Sequence, residues 1–118
     1  MELFPYPPRP NQMDFVRIVE GTMRDRGHLV LESGTGSGKT VCALSGALEA
    51  ALATGKKVLY LTRTNSQEKQ VILELRRINE KTPVFGVALQ GRRGTCPLVR
   101  RDKEMSAGTP EELSKICR

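Results

Sequence analysis

The stretch Leu29-Val30-Leu31-Glu32-Ser33-Gly34-Thr35-Gly36-Ser37-Gly38-Lys39-Thr40 decides the fold. A short apolar run leads into a glycine-rich turn, and a helical pattern opens at Lys39. Strand, turn and helix in that order build a cradle for a nucleoside triphosphate. The glycines let the backbone fold tightly, so that successive N–H groups converge on phosphate oxygens. The helix start adds unsatisfied donors and the positive end of its dipole. In such a cradle Lys39 reaches the β- and γ-phosphates and the Thr40 hydroxyl ligates Mg²⁺. The first position of the pattern holds Ser33 instead of glycine, so Gly34, Gly36 and Gly38 carry the flexibility, with Thr35 and Ser37 between them. The rival explanation is a glycine-rich connector that happens to contain Lys-Thr; the flanking strand and helix patterns weigh against it.

Downstream, a helix of about 39–53 carries Val41, Leu44, Leu48 and Leu52, with Gly55 placed to end it. Cys42 lies among small residues there and reads as a buried small hydrophobe. Residues 57–62, Lys-Val-Leu-Tyr-Leu-Thr, form a second strand whose nearly continuous apolar character suits a parallel strand covered on both faces. A helix from about 66 to 80 follows, with Val71, Leu75 and Ile78 as its buried stripe. Between them Arg63, Thr64, Asn65 and Ser66 stand where α/β sheets place ligands, at a strand's C-terminal end and a helix N-terminus. Hydroxyls, helix N–H groups and the Arg63 charge there suit a backbone phosphate. Capping of the helix is assigned to Asn65 or Ser66 in any case. A third apolar run, 84–89, follows Pro83. Strand, helix, strand, helix, strand with this loop predicts an α/β fold built on a RecA-like parallel sheet.

Upstream, Phe4-Pro5-Tyr6-Pro7-Pro8-Arg9-Pro10 is an extended arm that cannot enter a helix. Phe4 and Tyr6 either lie against a flat base or tether the arm to the domain surface. A helix begins after Asn11, taken as its N-cap, with Asp14 in the first turn, Phe15, Ile18, Val19 and Met23 towards the core, and Gly27 at its end. Gln12 sits where the arm joins that helix, and its amide can donate and accept at once, as reading adenine N6 and N7 requires.

The chain has 118 residues and a net charge of +6, from 19 basic and 13 acidic side chains, which favours a polyanionic partner. No apolar run is long enough to span a bilayer and no secretory signal opens the chain, so no membrane role is expected. Three cysteines make no disulfide framework and fit a reducing, intracellular compartment. The single histidine, His28, is a surface turn residue. No apolar run ends in Asp-Glu, and no arginine finger can be assigned, although phosphate hydrolysis on such a loop needs both kinds of group. The chain therefore reads as the front portion of a longer protein. After residue 89 the sequence turns basic and glycine-punctuated, with Gln90-Gly91-Arg92-Arg93-Gly94-Thr95-Cys96-Pro97 and then Arg100, Arg101 and Lys103. Thr109-Pro110-Glu111-Glu112 is a capping box that starts a short helix running from Pro110 towards Cys117. Residues 1–89 thus form one part and 90–118 the start of an inserted subdomain. Two thiols about twenty residues apart are weak evidence for a metal by themselves.

The arm ending in Gln12, the loop 32–40, the Tyr60-Leu-Thr-Arg-Thr-Asn-Ser-Gln67 segment and the Gly91-Arg92 pair four residues before Cys96 together resemble the XPD group of superfamily-two DNA helicases. The resemblance covers essentially the whole chain. It implies ATP and Mg²⁺ held by residues 33–40, with Gln12 sensing adenine and Tyr6 or Phe4 nearby. It implies contacts between residues 62–67 and a translocated DNA strand. Cys96 and Cys117 resemble the first two of four thiolate ligands of a 4Fe–4S cluster, Arg92 resembles a basic residue beside it, and Arg92 and Arg93 are implied to lie near DNA phosphates. Zinc is the competing metal, since four cysteines also make a structural zinc site. The implied activity is 5′-to-3′ movement on single-stranded or forked DNA, with unwinding, in DNA repair, in an intracellular setting that is either cytoplasm and nucleoid or a nucleus. A second RecA-like domain, the rest of the cluster subdomain and repair-complex proteins are the implied partners, and the front portion alone is expected to be inactive. Two other readings of the residues stay open: a different P-loop enzyme such as a small-molecule kinase, and a non-motor module that holds DNA on a metal-stapled basic patch.

Overall fold

A computed structural model of the chain describes residues 3–97, 101, 108, 109, 111, 112 and 115, and for residues 92 and 93 the backbone only. It divides into two compact units, Met1–Gly86 and Val87–Arg118. The first unit is built on three helices, α1 (Gln12–Arg24), α2 (Lys39–Thr54) and α3 (Asn65–Asn79).

Helix α2 is the central element because its sequence has two apolar faces. Leu44 packs with Val71 and Ile78 of α3, flanked by Leu48, Leu75 and Val84, while Val41 and Cys42 pack with Val16 of α1, flanked by Met13 and Phe15. The arm completes both clusters: Leu3 is buried in the first and Phe4 in the second. The arm is therefore part of the core at its N-terminal end, and Phe4 is not available to a base. Gly46 lets α1 approach α2 closely, since a Cβ there would stand 2.7 Å from the Val16 carbonyl oxygen.

Helix ends follow the sequence with some substitutions of role. Gly55 takes the left-handed conformation that closes α2, and its N–H donates to the Ala51 carbonyl. Asn11 holds the N-cap position of α1 but is left-handed, with φ 67°, and makes no side-chain cap bond. Helix α3 is capped by Thr64, not by Asn65 or Ser66: its hydroxyl accepts from the Gln67 N–H, and the Gln67 side chain reaches back to the cap. Ile18 of α1 and Leu52 of α2 point to solvent instead of the core, and Met23 of α1 lines an open cleft. Of the expected stripe Val19 is buried and Phe15 packs against the core, and Val16 takes the inward place expected of Ile18.

The parallel sheet is the main departure. Among the described residues there is no strand; the segments 29–32, 57–62 and 84–89 are not paired into a ladder. The reason is visible in their exposure. Leu29, Leu31 and Tyr60, 39 %, 38 % and 37 % exposed, line an open cleft together with residues of α1, α2 and α3. Val30, Leu59 and Phe85, 98 %, 81 % and 93 % exposed, face water. A parallel sheet is stable when both faces are covered, and the described residues cover one side of these segments only in part and leave the other open.

In the second unit, α4 (Arg92–Thr95) is a single turn in which the Thr95 hydroxyl donates to the Gln90 carbonyl at 2.8 Å. The capping box is present: the Thr109 N–H donates to Glu112 Oε2 at 2.8 Å, and the Glu112 N–H donates to the Thr109 hydroxyl at 3.3 Å. No helix among the described residues is long and apolar enough to cross a membrane.

Candidate nucleotide and nucleic-acid site

The glycine-rich loop takes the backbone form that its sequence requires. Gly36 and Gly38 have φ of 77° and 83°, a region closed to most side chains. The Ser37 N–H donates back to the Gly34 carbonyl at 3.4 Å, and the Ser33 hydroxyl donates to that of Ser37 at 2.7 Å, so Ser33 braces the loop in place of the missing glycine. Gly38 is the N-cap of α2 and no side chain caps that end, which leaves the first N–H groups of the helix without a capping acceptor. Lys39 folds back over it, its ammonium donating to the carbonyls of Ser33 at 2.9 Å and Gly34 at 2.8 Å. An incoming phosphate offers that exposed ammonium a charged acceptor in place of two carbonyls. Thr40, half-buried, sits beside Lys39 on the wall of a cleft of about 600 Å³.

Gln12 belongs to this loop. Its side chain is 7 % exposed. Its Nε2 donates to the Ser37 carbonyl at 2.9 Å, and its Oε1 accepts from the Arg9 N–H at 2.9 Å. The amide therefore locks arm to loop, and retains one donor and one lone pair for any further partner. Arg9 adds a second tie, its guanidinium donating to the Gly36 carbonyl at 3.3 Å. Tyr6 stands at the other end of the arm, edge-on to Phe4, with its hydroxyl donating to Glu74 Oε2 on α3 at 2.8 Å. That bond, ahead of desolvation, raises the Tyr6 phenol above its ordinary range.

The segment after residue 61 is organised by the cap of α3. Gln67 Oε1 accepts from the N–H of Arg63 at 3.1 Å and of Thr64 at 3.3 Å. Arg63, Thr64, Asn65 and Ser66 are all exposed. Of the predicted nucleic-acid residues, Arg63 lines the same cleft as Lys39 and Thr40, together with Thr62 and Gln67; Thr64, Asn65 and Ser66 do not. Burial pushes the Tyr60 phenol of that cleft upward. Cys42 is buried, and desolvation raises its thiol despite the opposing charge of Arg9, as suits an inert core residue.

Glu74 and Arg9 are functional candidates absent from the sequence-based set. Glu74 had a legible signal: with Val71, Leu75 and Ile78 it completes one helical stripe, which places a carboxylate among apolar residues. Thr64 had one too, since Thr-x-x-Gln is a capping box.

The metal assignment has less to stand on. The side chains of Arg92 and Arg93 and the whole of Cys117 lie outside the described residues. Cys96 is half-buried. Among the described residues no three His, Cys, Asp or Glu side chains are grouped so as to hold a metal ion. They do not make up the four-thiolate set that a 4Fe–4S cluster takes.

Comparison with known proteins agrees with the loop geometry. The DEAD/DEAH box helicase family matches residues 9–118. The "General transcription and DNA repair factor IIH helicase subunit XPD" of Schizosaccharomyces pombe is 30 % identical over 114 residues, covering 86 % of this chain and 15 % of that protein. The corresponding XPD/RAD3 subunit of Saccharomyces cerevisiae is 28 % identical over 115 residues, with the same 86 % and 15 % coverage. The chain thus spans about 15 % of the length of these relatives. No solved structure matches significantly. The family implies a RecA-like core, of which the helices and the phosphate loop are formed among the described residues and the sheet is not. With the match running from Arg9 to the last residue, the chain belongs to the DEAD/DEAH box helicase family.

Proposed function

We propose that this chain is the nucleotide-gripping front part of an ATP-dependent DNA helicase of the XPD type, moving 5′ to 3′ on single-stranded DNA. The observation that carries the proposal is the shared cleft, with Lys39 and Thr40 on one wall and Thr62, Arg63 and Gln67 on another. Fuel and track are handled within one cavity's width.

ATP phosphates meet the open N–H groups of α2 and the Lys39 ammonium, which leaves the carbonyls of Ser33 and Gly34. The Thr40 hydroxyl holds Mg²⁺. Gln12 fixes the loop through Ser37 and meets the adenine with its remaining donor and acceptor. Arg63 and the exposed residues 64–66 grip the backbone phosphates of the strand, and the cap of α3 orients them. A second RecA-like domain closes on the nucleotide and supplies the transition-state arginine. Residues 90–118 begin a subdomain in which Cys96 and Cys117 contribute thiolates to a 4Fe–4S cluster, with Arg92 and Arg93 near the strand. This part rests on the resemblance, and no step of the hydrolysis passes through the cluster. The relatives' names point to a transcription and DNA repair factor as the assembly, and an intracellular setting, in cytoplasm and nucleoid or in a nucleus, is part of the same proposal. A small-molecule kinase would leave the nucleic-acid segment beside the loop without a task, and a non-motor module would leave the loop without one.

The test uses the intact protein and Lys39→Ala. Loss of ATPase and unwinding with single-stranded DNA binding retained is the expected result. Undiminished hydrolysis in the variant, or no response of the unaltered protein to unpaired DNA, would reject the helicase reading. Iron and sulfide analysis of the intact protein tests the cluster separately.

A further inference from the structure

The arm is held at both ends, and its two anchorages lie on different functional segments. At one end Gln12 and Arg9 grip the carbonyls of Ser37 and Gly36 in the phosphate loop. At the other, Leu3 N–H donates to Glu49 of α2 at 3.1 Å, and the Tyr6 hydroxyl donates to Glu74 of α3 at 2.8 Å. Between Tyr6 and Arg9 lie only Pro7 and Pro8. Proline fixes φ and favours an extended, stiff conformation of about 3.1 Å per residue, so this spacer transmits a displacement instead of absorbing it.

Glu74 is built to receive it. It is a carboxylate 8 % exposed within the apolar stripe of α3. Both its oxygens are occupied, Oε2 by Tyr6 and Oε1 by the Gln70 amide at 2.8 Å. Gln70 holds the carboxylate in place from within the same helix. About 15 Å back along that helix, by its rise per residue, is the Thr64–Gln67 cap that orients Arg63 to Ser66. A capped helix moves as one piece. In this structure the Lys39 ammonium rests on the Ser33 and Gly34 carbonyls, and under the proposed function a bound phosphate draws it off them.

We infer that the Tyr6–Glu74 hydrogen bond is the joint through which the phosphate loop and the Arg63–Ser66 segment sense each other, with Glu74 as a positioning residue that touches neither nucleotide nor nucleic acid. The inference rests on the reading of the protein as a DNA-stimulated ATPase. When Lys39 leaves the loop carbonyls, the loop shifts against Gln12 and Arg9. The proline spacer carries the shift to Tyr6, and Glu74 passes it to α3 and its cap.

The experiment measures steady-state ATP hydrolysis by the intact protein with and without an unpaired oligodeoxythymidylate. Glu74→Met keeps side-chain bulk and helix preference but removes the acceptor; Glu74→Ala removes both; Glu74→Gln keeps one acceptor oxygen. For Glu74→Met the expected kcat and KM for ATP without DNA stay within about twofold of the unaltered protein. Its DNA stimulation falls about five- to tenfold, the lower range of coupling between sites. Glu74→Gln recovers most of that stimulation. Tyr6→Phe loses stimulation to the same extent as Glu74→Met, and the double variant loses no more than either alone. Normal stimulation in Glu74→Met overturns the inference and leaves the helicase reading standing. So does an equal loss of activity with and without DNA, which marks a purely structural residue. Absence of stimulation in the unaltered protein overturns both.

Discussion

At the scale of single residues, Gly38 is constrained twice, by its backbone and by its neighbour. Its φ of 83° is left-handed, and a Cβ there would stand 2.6 Å from Gln12 Nε2. The same glycine thus permits the loop's turn and the contact of Gln12 with Ser37. Gly38→Ala costs about 1–2 kcal/mol for the backbone alone and drives Gln12 off the loop. The expected outcome is at least a tenfold loss of affinity for a fluorescent ATP analogue; unchanged affinity would mean that the loop tolerates another path. Ser45 is the opposite case. It is 0 % exposed on α2 and its hydroxyl is without a partner. A buried hydroxyl with no hydrogen bond destabilises the fold, so Ser45→Ala is expected to be neutral or to raise stability by about 1 kcal/mol in urea unfolding. The loop was legible in the sequence because its constraint is local: glycine spacing, Lys39 and Thr40 suffice. The commitment of the Gln12 amide to Ser37 and Arg9 was not, because it depends on where an arm with no regular structure lies.

At the scale of elements, helix existence and type could be read from apolar spacing, and all three helices of the first unit lie within about two residues of their expected bounds. What spacing could not give is which face of α1 is inward. Val19 is inward as expected, and Val16 wins over Ile18 because Gly46 draws that side onto α2. The arm was legible as extended but not as core, since Leu3 and Phe4 are buried by two different helix pairs. Its bond to α3 makes a pH prediction. The chain has two tyrosines, and both phenols are raised, Tyr6 chiefly by its bond to Glu74 and Tyr60 by burial. A raised folded-state value means that the stabilisation is fully present below the unfolded tyrosine value of about 10 and is lost as pH climbs through the folded one. The arm is therefore expected to stay docked through neutral pH and to loosen only in strong alkali. Ultraviolet titration should show phenolate appearing later than in free tyrosine, and earlier ionisation of the single tyrosine left in a Tyr60→Phe variant would contradict the Tyr6–Glu74 bond.

At the scale of the whole molecule, the sheet was predicted from apolar runs and is not formed among the described residues, and the two facts have one cause. Runs such as Val58-Leu59-Tyr60-Leu61 are apolar on both sides. That pattern suits strands covered on both faces, and hence an assembly larger than the segment itself. This chain spans about 15 % of its relatives' length, and Leu59 and Leu61 face water in it. The same substitution should then have opposite consequences in two settings. In the 118-residue chain by itself, Leu59→Asp exchanges one exposed side chain for another and is expected to shift stability by no more than about 0.5 kcal/mol. In the intact protein, if the segment is a strand between two helical layers, the aspartate carries an unpaired charge into the core, and such burial costs at least about 3 kcal/mol. The comparison needs only a thermal or denaturant midpoint for each pair. A small effect in both settings would mean that residues 57–62 never enter a sheet. A large effect in the chain alone would mean that Leu59 is already covered there, against its exposure. The contrast between the settings reports on sheet formation because the local sequence is identical in both and only the neighbours differ.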